Sequence, residues 1–347
     1  MARGIPSVRN RIGLRDIAAA AGVSVMAVSL ALRDNPKISQ ATRERIHRLA
    51  DKLGYHPDPE ITRLMRLLRS SRTREGRTSM AIVDLYRSRD DPEDGYIAQI
   101  RQGAATRAKQ LGLGVTMIRG ADYKNNFKQI LNVIRARGLE GVILLPPLTP
   151  LSFESAVDWR NVSVVATTNS ILAPRFHSVV PHQFANMMRL IELTKQRRHK
   201  VIVSIFDETF DDRTAHHFTA ALNWHDQGER ILKVPAELSP AGKLARIDQW
   251  IARHRPDVIF IQSAAGEDWA MARKRALRKI EVIRLGMSKA GDMPYLDERP
   301  DHVGSAATDL LAGMMYYHET GVPAHPRTTM IDCEFRFGRR LKLSAAT

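Results

Sequence analysis

Two short helical segments joined by a glycine turn open this chain and restrict its fold more than any later stretch. Asp16 to Ala21 suits a short helix, Gly22 breaks it, and Ser24 is placed to cap a second helix. A third helix follows, with Ser39 as its N-cap and Gly54 at its end. Its apolar residues Ile46, Leu49, Ala50 and Leu53 fall at i, i+3, i+4 and i+7, a stripe able to cover the other two helices. Arg43, Arg45, Arg48 and Lys52 lie off that stripe. Helix, tight turn and helix is the arrangement that lays a helix in the major groove of DNA.

The charge distribution agrees with contact to a polyanion. The 347 residues carry a net charge of +16, and residues 1–78 hold 16 Lys/Arg against 7 Asp/Glu. The other 269 residues hold 37 against 30, so positive charge is concentrated at the amino end, as phosphate contact requires.

Pro57 and Pro59 keep the next segment extended. A short helix then places Ile61, Leu64, Met65 and Leu68 on one face, with Arg63 and Arg66 beside them. So short a helix is marginal alone, because nucleation is costly below about a dozen residues. It is expected to need support from DNA and a partner subunit, or from packing on the body. Residues 69–79 read as a polar, basic linker.

From Met80 onward strands and helices alternate. Strands are expected at Met80–Tyr86, Gly114–Ile118, Gly141–Leu145 and Ser163–Ala166, with helices at Tyr96–Leu111, Lys124–Arg137 and Ser152–Asp158. A second series has strands Val201–Phe206, Ile231–Val234, Val258–Ile261 and Val282–Leu285, with helices near Gln183–Lys195, Asp212–Trp224, Ala241–His254 and Asp268–Lys279. This rhythm gives two doubly wound parallel sheets, with a small-molecule site expected in the cleft between the lobes.

Other chemistries find little support. Gly112 and Gly114 lack a third glycine at dinucleotide spacing, and there is no phosphate loop or nucleophile elbow. Adjacent His216 and His217 face different sides of a helix. Asp207, Glu208, Asp211 and Asp212 suit a helix N-terminus without catalysis. The lone Cys333 excludes an intrachain disulfide and a cysteine-built zinc site, and it reads as a half-buried strand residue. No enzyme, cofactor or metal is expected. No apolar run approaches the ~20 residues that span a bilayer, and no signal peptide is evident, so a cytoplasmic location without membrane association is expected.

Asp16-Ile-Ala-x-x-Ala-Gly-Val-Ser-x-x-x-Val-Ser29, Thr42-Arg-Glu-Arg-Ile46, Leu53-Gly-Tyr55 and the segment to Leu68 together resemble the lactose-repressor (LacI/GalR) family of bacterial transcription regulators. Gly138-Leu-Glu-Gly-Val-Ile143 and Arg255-Pro-Asp-Val-Ile259 are the most similar phrases of the body. The resemblance implies an all-α helix-turn-helix headpiece (1–56), a hinge helix and linker (57–78), and a two-lobed α/β core of periplasmic-binding-protein type (79–347). Lobe 1 would be 79–168 plus 301–320, and lobe 2 would be 169–300 plus 321–347. It further implies a homodimeric repressor on a near-palindromic double-stranded DNA operator, modulated by a small metabolite, a sugar among the candidates.

By family position, Ser24, Val25, Met26, Ser29 and Leu30 lie on the recognition helix, and Arg33, Asn35 and Lys37 in the loop after it. Arg15, Arg33, Lys37 and Arg43 are expected to contact phosphates, and Tyr55 is counted among the DNA-binding residues. Thr62, Arg63 and Leu64 belong to the hinge, with Leu64 matching the leucine that wedges into the minor groove. The family commonly has Thr and Arg where Ala27 and Leu30 stand. Leu30 can offer a thymine methyl only apolar contact, or can pack inside the headpiece. For the effector, family position points to Tyr86, Arg87, Ser88, Arg213, Trp269 and Ser288. Competing readings are a two-lobed small-molecule binder with weakened DNA specificity, a sugar-binding transport protein and an α/β enzyme with a DNA-binding module. The second of these should carry an export signal, and the third a catalytic constellation.

Overall fold

The computed structural model describes residues 12–32, 38–55, 78–85, 95–225, 227–273, 275–286 and 293–336. The chain divides into two compact units, Met1–Gly76 and Arg77–Thr347.

In the first unit, helix α1 (Leu14–Ala21) starts after Gly13, whose N–H donates to Asp16 Oδ2 at 2.7 Å. It stops at Gly22, where φ is +64° and the N–H bonds back to the carbonyls of Ala18 and Ala19. Only glycine takes that left-handed turn without strain. Helix α2 (Val25–Ala31) begins immediately, because Ser24 Oγ accepts the Ala27 N–H at 3.1 Å. Helix α3 (Gln40–Lys52) is capped by Ser39, whose Oγ accepts the Thr42 N–H, and Gly54 follows it at φ +68°. Ile17, Ala18, Ala21, Val28, Ala31, Ile46 and Ala50 form a shared core, with Leu49, Leu53 and Tyr55 packed at its edge. The α3 stripe expected from the sequence therefore faces that core.

The second unit contains two six-stranded sheets. The first has the order β13-β7-β5-β3-β1-β2, from β1 (Ser79–Asp84), β2 (Gly114–Arg119), β3 (Gly141–Leu144), β5 (Ser163–Ala166), β7 (His177–Pro181) and β13 (Thr328–Ile331), all parallel. Ala81 and Val83 enter the core on one face, and Met80 and Ile82 the core on the other, as strand periodicity dictates. Helix α5 (Phe127–Ala136) covers the first face; α4 (Gly95–Gln110) and α11 (Pro300–Tyr317) cover the second. Helices α4 and α11 touch through backbone. A Cβ on Gly304 would stand 1.9 Å from the Ile100 carbonyl oxygen, and one on Gly103 would stand 2.0 Å from that of Asp301.

The second sheet has the order β14-β12-β11-β10-β8-β9, from β8 (Ile202–Asp207), β9 (Ile231–Val234), β10 (Val258–Gln262), β11 (Glu281–Leu285), β12 (Tyr295–Asp297) and β14 (Glu334–Arg336). Only β14 runs antiparallel to its neighbour. Cores on its two faces involve α6 (Gln183–Gln196) and α8 (His217–Trp224) on one side, and α9 (Pro240–His254) and α10 (Ala264–Ala272) on the other. A small sheet pairs β4 (Leu151–Ser152) with β6 (Ile171–Ala173).

The chain passes between the lobes at residue 182, at 298–299 and at 332–333. The lobe boundary expected at 168/169 therefore moves: β7 and β13 complete the first sheet, and α6 is the first element of the second lobe. Four local expectations also change. No helix forms at Ser152–Asp158, because Phe153 and Trp159 turn inward and stack with Phe127 and Phe176. The helix expected over Asp212–Trp224 is two, α7 (Phe210–Arg213) and α8, interrupted where Ala215 and His216 take positive φ. Helix α10 begins at Ala264, earlier than Asp268, because Ser263 caps it through the Gly266 N–H at 3.3 Å. Cys333 lies in the third crossing rather than in a strand, half-buried against the second-lobe core, and burial raises its thiol pKa.

Candidate nucleic-acid interface and interlobe cleft

Two regions carry the polar chemistry. On the first unit, Val28 and Ala31 turn α2 into the headpiece core, which leaves its opposite face outward. Val25 and Met26 stand on that face, 42% and 66% exposed, with Ser29 half-buried one turn on. Two adjacent large apolar side chains thus meet solvent on a seven-residue helix. Ser24 is occupied as the α2 cap, although exposed. Leu30 is half-buried and stands outside the headpiece core cluster. Arg15 is exposed on α1, Arg43 is half-buried on α3, and Tyr55 packs against the core. Arg33, Asn35, Lys37, Thr62, Arg63 and Leu64 lie outside the described residues.

Between the lobes of the second unit is a cleft of about 680 Å³, within the usual range for small-molecule sites. Its first-lobe wall includes Tyr96, Thr167, Thr168, Asn169 and Ser170; its second-lobe wall includes Asp207, Phe210, Arg213, Gln262, Ser263 and Arg284. Most of these stand near strand ends or helix starts, the positions at which α/β folds present ligand-facing groups, while Arg213 closes α7. Helix α10 contributes Ala264, Glu267, Asp268 and Met271, a stripe at i, i+3, i+4 and i+7. Ser170 Oγ donates to the Arg213 carbonyl oxygen at 2.9 Å, a direct bond from one lobe to the other.

Two polar pairs shape the second-lobe wall. Arg284 grips Glu267 with two bonds, Nη1 to Oε2 at 2.8 Å and Nη2 to Oε1 at 2.6 Å. Near the crossings, Gln183 Nε2 donates to Glu298 Oε1 at 2.9 Å. Burial raises the Glu298 carboxyl pKa to about 7, against the opposing pull of the Gln183 hydrogen bond and the Arg213 charge. Among the described residues, no group of three His, Cys, Asp or Glu side chains could hold a metal ion. No single described helix is long and apolar enough to cross a membrane.

Of the six effector positions expected from family position, Arg213 lines the cleft. Trp269 does not: it is 2% exposed, packs in the second-lobe core, and its Nε1–H donates to Asp248 Oδ1 at 2.7 Å. Helical geometry explains this, because a residue one position past Asp268 leaves the cleft-facing stripe of α10. Tyr86, Arg87, Ser88 and Ser288 lie outside the described residues. The residues that sequence reasoning missed are Gln183, Asp207, Gln262, Asp268 and Glu298. The strand-to-helix rule could have flagged Asp207 and Gln262 as strand-terminal polar residues; Glu298 carried no local signal.

Residues 13–58 match the family described as bacterial regulatory proteins, lacI family. Among curated proteins, the chain is similar to the HTH-type transcriptional repressor CytR of Escherichia coli (strain K12), at 28% identity over 170 residues, 49% of this chain and 45% of that protein. It is also similar to the maltose regulon regulatory protein MalI of Escherichia coli (strain K12), at 28% identity over 134 residues, 39% of this chain and 35% of that one. The matched stretches thus span less than half the length of these relatives. Among solved structures, the chain is similar to a lac repressor dimer bound to operator and the anti-inducer ONPF (TM-score 0.53, 16% identity, 94% of this chain and 98% of that one). A complex of the transcriptional regulator CelR with cellobiose matches similarly (TM-score 0.53, 16% identity, 94% and 99%). Residues 13–58 are therefore similar to the lacI family of bacterial regulatory proteins, and the two-lobed α/β body that follows has the fold of these solved structures.

Proposed function

We propose that this protein is a cytoplasmic, sequence-specific transcription regulator, a repressor in its usual mode, that grips a near-palindromic operator as a homodimer. The observation that carries this reading is the outward face of α2: Val25 and Met26 exposed beside a half-buried Ser29 on a well-packed headpiece, within a strongly basic segment. Helix α2 would enter the major groove, and Arg15, Arg33, Lys37 and Arg43 would neutralise phosphates. Thr62, Arg63 and Leu64 would form the hinge, with Leu64 wedged into the minor groove. A small polar metabolite in the interlobe cleft would change the angle between the lobes, and the two ligands would influence each other reciprocally.

Val25, Met26 and Leu30 give this helix apolar rather than bidentate readers, which also supports a second reading: a two-lobed small-molecule binder with weakened DNA specificity. Selection of bound duplexes from random sequence, using the purified protein, tests both. Enrichment of a two-fold symmetric site supports the regulator. Recovery without enrichment favours the second reading, and a protein that is monomeric and binds no duplex excludes the first.

A further inference from the structure

Helix α2 turns little hydrogen-bonding chemistry outward. Val28 and Ala31 point into the headpiece core, and at 3.6 residues per turn the side opposite them is centred on Met26. Ser29 and Leu30 flank Met26 at i+3 and i+4, and Val25 lies beside it. Val25 and Met26 are exposed, while Ser29 and Leu30 are half-buried. Three of these four side chains are apolar, and Ser29 alone carries a hydroxyl. Ser24, at the head of the helix, already accepts the Ala27 N–H.

The edges of the bases limit what such a face can recognise. Guanine offers two acceptors and adenine an acceptor beside an amine, which suit a guanidinium or a side-chain amide; the cytosine amine suits a carboxylate. None of the four side chains supplies any of these groups. A single hydroxyl serves any base and so separates none of them. The one apolar group in the major-groove pattern is the C5 methyl of thymine. Val25 and Met26 gain by removing that methyl and themselves from water, whereas a polar edge pressed on them loses its hydrogen bonds to water. Charge favours DNA over an apolar protein partner, since exposed Arg15 on α1 and Arg45 on α3 belong to the same headpiece.

We propose that α2 selects thymine: in each half-site of the operator a thymine methyl rests against Met26, with Val25 closing the contact at its side. This rests on the reading of α2 as the helix that enters the major groove, and it adds the base that the helix reads.

Selection from random sequence with the purified full chain supplies the duplex for the test. Each thymine of the enriched site is then replaced singly by deoxyuridine, which keeps the charge, the pairing and the O4 acceptor and removes only the methyl. At least one thymine in each half-site is expected to lose about fourfold in affinity, the worth of one buried methyl group. In Met26→Ala the same replacement is expected to cost less than twofold, because the methyl has lost its partner. Met26→Gln serves the same purpose if the alanine variant fails to fold. An enriched site in which no thymine responds to loss of its methyl overturns the thymine assignment and leaves the regulator reading in place. A response of full size in the Met26 variant belongs to duplex shape or to another residue, and overturns the assignment as well. Recovery of no enriched site overturns both.

Discussion

Gln183 and Glu298 are joined by a 2.9 Å hydrogen bond, and they stand at two of the three places where the chain passes between the lobes. Gln183 opens α6 just after the first crossing, and Glu298 lies within the second. At the third, the Ile331 carbonyl oxygen accepts the His182 N–H at 2.8 Å. The three crossings are thus tied together side by side, so the hinge is a hydrogen-bonded unit rather than three loose strands.

This tie should make stability depend on pH. Burial raises the Glu298 carboxyl from its ordinary 4.5 to about 7 in the folded chain. The folded state then keeps a proton that the unfolded chain has released. The stabilisation from that proton is full below about 4.5, and it is lost as pH rises toward about 7. The charged neighbours acting on it are Arg213 and Asp297. Urea titrations of wild type and Glu298→Gln across that window should differ by a term that shrinks by about 2–3 kcal/mol toward the upper end. A pH-independent difference would remove Glu298 from this role.

The α4–α11 contact gives a sharp mutational contrast. Gly304→Ala drives a methyl into the Ile100 carbonyl and is expected to cost about 1–3 kcal/mol. At Gly313, on the same helix, an added methyl would meet nothing within 4 Å, so Gly313→Ala should gain up to about 1 kcal/mol from helix propensity. Paired denaturant curves check both signs.

In the headpiece, Ser24→Ala removes the oxygen that accepts the Ala27 N–H, and Gly22→Ala places a Cβ at φ +64°. Each should cost about 1 kcal/mol. Hydrogen exchange of the full chain should show about fivefold less protection across α1–α3, with the body unchanged.

On DNA, Leu64→Ala should weaken specific binding far more than nonspecific binding, because a wedge acts only on the kinked site. Gel-shift competition with operator and random duplex measures the two losses. Specific affinity should also fall steeply with salt, the logarithmic slope growing by about one for each phosphate neutralised. A flat salt response would remove the phosphate contacts assigned to Arg15 and Arg43.

Much of this architecture was legible in the residues. Gly22, Ser24, Ser39 and Gly54 set the headpiece helices through caps and a left-handed turn, all local effects. Strands Ser163–Ala166 and Ile231–Val234 form where their apolar runs indicate. What escaped was non-local. Strand β7 joins the first sheet because β5 and β13 flank it, which no window around His177 reveals. The break at Ala215 and His216, both at positive φ, falls inside a stretch that reads as one helix. In the cleft, family position supplied Arg213 and also Trp269, whose ring is turned into the core with Asp248 as its partner. Gln183 and Glu298 lie 115 positions apart, and only the fold makes them neighbours.

Strand β13 borders the first sheet and β14 the second, yet both come from the final described stretch of chain, after every other described strand has been made. A ribosome that has released residues 1–320 has therefore finished neither lobe: β7 and β12 still present open edges. Completion of both sheets waits on the same nine residues, Thr328–Arg336, so the two lobes should lock in a single late event rather than one after the other during synthesis. Expressing either lobe by itself would call for a rearranged gene in which this closing segment is divided between the halves.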